Sequence, residues 1–180
     1  RLLRPASIAV IGGGAWCRAV VQQLRKAGYP GAVWPVHPNG GEIDGFRVWQ
    51  GLSDLPSPPD ASFVGINRTA TIDTVGALSR MGAGGAVCFA SGFAEVTDGH
   101  DLNIRLLAAA GDMPILGPNC YGMINALDGA LLWPDQHGCE PVDRGVAILT
   151  QSSNIAINLT MQARAVPLAY VITCGNQAQT

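Results

Sequence analysis

Two rhythms alternate along this chain. The stretch "SIAVI" at positions 7–11 is almost wholly apolar and runs into three glycines, which predicts a buried strand entering a glycine turn. In the following "AWCRAVVQQLRKAGY", Cys17, Val20, Val21, Leu24 and Ala27 recur at helical spacing. Arg25 and Lys26 suit the last turn of that helix, and Gly28 suits its stop. "GAVWPVHP" predicts a second strand. A helix between two strands makes them parallel, because a tight hairpin cannot join parallel neighbours.

The same rhythm returns. "FRVWQGLSDLPSPPD" predicts a short extended piece and a proline-rich loop. "ASFVGIN", "GGAVCFASGFAE" and "MPILGPN" predict strands, and "TATIDTVGALSRMGA" and "DGHDLNIRLLAAAGD" the helices between them. Such alternation is the mark of an open, doubly wound α/β sheet. Residues 127–144 break the rhythm and read as a linker, with room for a short edge strand. It then restarts: "GVAILTQ" as strand, residues 152–165 as helix, "PLAYVITCGNQAQT" as strand and loop. The expected division is therefore a first domain over 1–126, a linker, and the beginning of a second α/β domain over 145–180. A lone β-α-β piece cannot bury its own sheet face, so a continuation beyond Thr180 is expected.

Composition narrows the classes. Apolar residues make up 48% of the chain and charged residues 13%, which favours a large core over disorder. The net charge is -2 without a basic stripe, which argues against nucleic acid as a partner. No apolar run reaches the length of a membrane span. The five cysteines contain no C-x-x-C, so neither a disulfide framework nor a metal site is expected, and a reducing, cytoplasmic setting is.

Ligands on such sheets bind beyond the carboxyl ends of the strands. Gly12, Gly13, Gly14 and Ala15 form a glycine loop opening a helix, whose free N–H groups suit phosphate. The second strand ends in Val36, His37, Pro38 and Asn39 rather than the acid that holds an NAD ribose, which disfavours NAD. The other ends carry Asn67 and Arg68, then Ser91, Gly92, Phe93 and Glu95, then Asn119 and Cys120. Arg68 is either a phosphate ligand or half of a surface ion pair. Ser152, Ser153 and Asn154 open a later helix, where one of them caps it and a phosphate could also sit.

Taken together and in order, "LSDLPSPPD", "SGFAEV", "LGPNCYGMIN" and "VAILTQSSNIA … VITCGNQA" resemble the NDP-forming acyl-CoA synthetases, which include the succinyl-CoA synthetase α subunit. The resemblance implies a Rossmann-like CoA-binding domain followed by the start of a flavodoxin-like domain. It implies acid–thiol ligase chemistry: an acyl-CoA, phosphate and ADP exchange with an acid, CoA and ATP through an acyl phosphate. A histidine then carries the phosphoryl group to a nucleotide held with Mg in an ATP-grasp domain or subunit.

By that resemblance the glycine loop and the "VHPN" turn face the CoA nucleotide. Ser91, Gly92, Phe93 and Glu95 line the pantetheine path. Asn119 and Cys120 lie at the thioester end, with Cys120 a packed wall rather than a nucleophile. Ser152, Ser153 and Asn154 hold the transferring phosphate. The sequence departs from the family at Asn39–Gly41, where a Lys is common, at "INRTAT", and at "QSSN" in place of "QSG". None of His37, His100 and His137 matches the phosphorylated histidine, which is expected beyond Thr180. Alone, this stretch is expected to be inactive, and relatives of this kind often form oligomers. Two alternatives stand beside the ligase: a CoA-sensing module fused to an acetyltransferase, and an NAD(P)-binding redox domain.

Overall fold

The structure is a computed structural model that describes residues 1–162 and 166–179. Strands β1 (Ser7–Ile11) and β2 (Ala32–Val36) flank helix α1 (Ala15–Lys26). A small hairpin, β3 (Glu42–Ile43) and β4 (Phe46–Arg47), follows. Next come β5 (Ala61–Val64), α2 (Arg68–Arg80), β6 (Ala86–Cys88), α3 (His100–Ala110) and β7 (Ile115–Leu116). The chain continues through β8 (Met123–Asn125), β9 (Ala130–Leu132), β10 (Val146–Thr150), α4 (Ser153–Thr160) and β11 (Leu168–Thr173).

The first sheet has the order β2-β1-β5-β6-β7 and is parallel throughout. Every residue of β1 is buried, which is why it reads as an unbroken apolar run. Successive side chains point to opposite faces of a strand, so β1 feeds two cores. Ile8 and Val10 join Cys17, Val20, Val21 and Leu24 of α1. Ala9 and Ile11 join Ile72, Val75 and Leu78 of α2 and Leu106 and Ala110 of α3. Burying the Val, Leu and Ile side chains among these stabilises by about 1.5–3 kcal/mol each, before the entropy of ordering them is subtracted.

The second sheet has the order β10-β11-β8-β9, with β10 and β11 parallel and the rest antiparallel. Strand β9 is the edge of this sheet and lies in the stretch expected as a linker with room for a short edge strand. Ala130–Leu132 pairs with Met123–Asn125, so a hairpin straddles the expected boundary at residue 126. The physical reason is burial: Leu132 and Trp133 have no exposed surface, and a solvated linker would have exposed both. Met123, Ile124, Leu131, Leu132, Trp133, Val171 and Ile172 pack in the same core as α1. The end of the helix expected over 152–165, at 163–165, lies outside the described residues, as does Thr180. Strand β4 falls in the short extended piece expected from Phe46 onward, whereas its partner β3 was not expected, since two residues leave no periodicity to read.

After β11 the chain crosses to the first sheet. Asn176 N–H donates to Pro118 O at 2.9 Å and Ala178 N–H to Gly117 O at 3.1 Å. The Gln179 side chain accepts from Ile115 N–H at 2.8 Å and donates to Met113 O at 3.1 Å. At the opposite edge Trp49 N–H donates to Pro35 O, and His37 N–H to Trp49 O, each at 2.8 Å.

Candidate functional site

The carboxyl ends of β5, β6 and β7 and the end of β10 meet around one cavity of about 740 Å³. Asn67, Arg68, Ser91, Asn119, Cys120, Ser152, Ser153 and Asn154 all line it. Two sheets thus bring together residues that lie up to 87 positions apart, from Asn67 to Asn154.

The glycine loop stands beside this cavity rather than in its wall. Gly12 has φ +128°, and a Cβ there would lie 2.7 Å from Gly65 O and 2.8 Å from Cys17 Sγ. Only glycine fits that crossing between β1 and β5. The His37 ring covers Gly13, with its Cδ2 and Nε2 each 2.5 Å from where a Cβ would be. His37 Nδ1 accepts from Asn39 N–H at 3.3 Å. Gly14 is the N-cap of α1 and supplies no side-chain hydrogen bond, and the space beside it is open to 4 Å. Gly13, Gly14, Ala15, Pro38 and Asn39 are exposed, whereas Val36 is buried and its carbonyl accepts from Gly12 N–H at 3.0 Å. An uncapped, exposed helix start is a cradle for phosphate oxygens.

The "GPNC" loop is shaped by backbone. Gly117 has φ +95° and a cis peptide to Pro118, and Asn119 has φ +58°. A Cβ on Gly117 would lie 2.7 Å from Cys88 O, and one on Gly122 2.4 Å from Leu132 O. Asn119 N–H donates to Ala90 O at 2.9 Å, while its exposed side-chain amide reaches Asn176 Oδ1 at 3.4 Å. Cys120 keeps 2% of its surface, and burial pushes its thiol up to about 12. A neutral, enclosed thiol is a wall and not a nucleophile.

Arg68 resolves as a brace. It donates to Gly92 O and to Asp98 Oδ2, both at 2.9 Å, the second as a surface ion pair, and the residue also lines the cavity. Asn67 caps α2 by accepting from Ala70 N–H at 2.9 Å. Glu95 accepts from Gly92 N–H at 2.5 Å, Phe93 N–H at 3.0 Å and the Asn176 amide. Burial raises the pKa of Glu95, but those hydrogen bonds outweigh it and hold the group below the ordinary carboxylate value. Glu95 therefore organises the 91–93 loop. Phe93 corrects the expected pantetheine lining: its side chain has no exposed surface and packs with α2 and α3.

At α4 the helix start is filled by its own side chains. Ser152 Oγ accepts from Ile155 N–H at 3.4 Å, which makes Ser152 the cap. Ser153 Oγ accepts from Tyr121 N–H at 3.1 Å and ties the start of α4 to the Cys120 loop. Sequence reasoning missed Phe89 and Tyr121, which line the cavity, and Trp16, which meets both at tilted angles. Their only signal was position, since each sits next to a strand end or loop already under suspicion. Among the described residues, no cluster of His, Cys, Asp and Glu could hold a metal, and no helix is long and apolar enough to cross a membrane.

Comparison with known proteins accords with this geometry. The sequence model of a family described as CoA binding domain matches residues 6–126. A trans-feruloyl-CoA synthase from an unknown prokaryotic organism is 31% identical over 99% of this chain and 27% of its own length. The α subunit of ADP-forming acetate–CoA ligase I from Pyrococcus furiosus is 27% identical over 98% of this chain and 41% of its own. Among solved structures, the apo form of a dinucleotide forming acetyl-coenzyme A synthetase 1 from Ca. Korarchaeum cryptofilum superposes with a TM-score of 0.86. It is 25% identical, covering 99% of this chain and 40% of that one. The chain thus spans less than half the length of each of these relatives.

Proposed function

Because the chain belongs to the CoA binding domain family, we propose that it is the CoA-binding part of an ADP-forming acid–CoA ligase. The observation that carries this reading is the joining of the Cys120 loop to the start of α4, through Tyr121 N–H and Ser153 Oγ, inside one cavity. A thioester and a phosphate held at those two places are within reach of each other. A phosphate oxygen bonds to the acyl carbon, the carbon–sulfur bond breaks, and the electron pair leaves on sulfur, which takes up a proton. In the opposite direction the thiolate displaces phosphate from an acyl phosphate.

The residues divide the work. The bare N–H groups at Gly14 and Ala15 hold CoA phosphates, and His37, Pro38 and Asn39 border the nucleotide. Ser91 and Gly92, fixed by Glu95 and Arg68, flank the pantetheine arm. The Asn119 amide donates to the acyl carbonyl oxygen as charge develops there. Ser152, Ser153 and Asn154 position the phosphate. None of the three histidines lines the cavity, so none of them is given the phosphoryl-carrier role; that histidine, and separately the ADP and Mg site of an ATP-grasp domain or subunit, are left to the rest of the ligase. Large apolar side chains exposed on β10 and α4, including Leu149 at 67% and Ile155 at 54%, suit cover by further domain, subunit or second copy.

Calorimetric titration with CoA, dephospho-CoA and NADH tests the reading. Saturable CoA binding that Gly13→Val abolishes is expected, because the added side chain would occupy the His37 ring position. NADH binding in place of CoA would sink the proposal in favour of a redox domain.

A further inference from the structure

The roles above leave a contiguous aromatic wall unused. Trp16 lies in the first turn of α1, Phe89 directly follows β6, and Tyr121 lies in the loop between β7 and β8. Their ring centroids are 5.5 Å apart for Trp16–Phe89, 6.1 Å for Trp16–Tyr121 and 5.8 Å for Phe89–Tyr121, all tilted. Trp133 meets Tyr121 edge-on at 5.6 Å, and Phe63 backs Phe89 at 5.6 Å. Both backing rings are fully buried, so the wall rests on rigid core. Trp16 nevertheless keeps 45% of its surface exposed. A lone exposed ring means little, but one that extends a packed stack bordering a cavity marks a binding surface.

The wall also adjoins the reacting end. Tyr121 carries the N–H that holds Ser153, so a carboxyl group activated at the start of α4 directs its tail toward Tyr121 and Phe89. A methyl tail would graze one ring edge. A flat aryl tail can stack against the tilted rings, with Trp16 closing the outer side. We propose that the acid served by this site is a planar aromatic one, selected by Trp16, Phe89 and Tyr121; this rests on the CoA-ligase reading above.

The test is calorimetric titration of the chain with CoA, acetyl-CoA, cyclohexanecarbonyl-CoA and cinnamoyl-CoA. Cinnamoyl-CoA is expected to bind about tenfold tighter than acetyl-CoA, with the non-planar ring between them. Trp16→Ala is expected to remove most of that gain and leave CoA itself within about twofold. Tyr121→Leu, which keeps an apolar side chain of related size, is expected to do the same. Equal binding of the acyl thioesters beside intact CoA binding overturns this inference alone. Uniform weakening of every ligand by Trp16→Ala also overturns it, since the rings would then be reading the nucleotide. Absence of CoA binding removes the ligase reading and this inference with it.

Discussion

The starts of α1 and α4 flank the aromatic wall and treat their free N–H groups in opposite ways. At α1, Gly14 offers no side chain, and the space beside it is open. At α4, Ser152 spends its hydroxyl on Ile155 N–H, and Ser153 spends its own on Tyr121. The first start leaves its donors without a side-chain partner. The second has satisfied part of its demand and is held in place from outside. The first arrangement suits an anion met by backbone N–H groups alone, and the second one met by hydroxyls already fixed in direction.

The severest way to break this contrast is Gly12→Ala. The substitution forces a Cβ against Gly65 O at φ +128°, and a loss of about 2–4 kcal/mol is expected in urea unfolding. CoA affinity should fall with it, because the loop that presents α1 is displaced. Next comes Ser152→Ala, which strips the α4 cap and is expected to cost about 1 kcal/mol by the same measurement, with CoA titration unchanged.

A smaller effect comes from pH. The folded pKa of Glu95 lies below its ordinary 4.5, so the stability it contributes is present above that value and lost as pH falls through the depressed one. Melting temperatures between about pH 5 and pH 3 should therefore fall less steeply in Glu95→Gln than in the parent. Smallest in stability, and sharpest in meaning, is Gly14→Ser. Gly14 has φ -77° and ψ 174°, which any residue adopts, so the serine can cap α1. A gain of a few tenths of a kcal/mol is expected, together with weaker CoA binding. If both quantities rise together, the bare start of α1 is not where the anion docks.

Much of the first sheet was legible because burial on both faces writes itself as apolar runs, as in "SIAVI", and the helix of Cys17, Val20, Val21 and Leu24 as a stripe. The β8–β9 hairpin was legible only as room for a short edge strand, since three-residue strands around Asp128 and Gly129 look like a turn-rich linker until their partner β11 is known. The gathering of Asn67, Arg68, Ser91 and Asn119 at one cavity follows from strand polarity, which sequence does convey, whereas Ser152–Asn154 reach it from the second sheet, whose pairing through β8 and β11 sequence does not convey. The inward turn of Phe93 does not follow, because it depends on Glu95 pinning the preceding amides. Nor does the wall of Trp16, Phe89 and Tyr121, whose members share no periodicity and meet only through tertiary packing.

The Gln179 side chain, bonded to Ile115 N–H and Met113 O, has a bearing on how the protein behaves in crowded solution. An outermost strand with bare amides is a template for adding a stranger's strand, the first step toward fibrils and swapped assemblies. The carboxamide satisfies both a donor and an acceptor beside β7 and so blunts that template, as the Trp49 backbone does beside β2. Slow amide exchange at Ile115, where a strand edge would ordinarily exchange fast, is the signature this protection leaves.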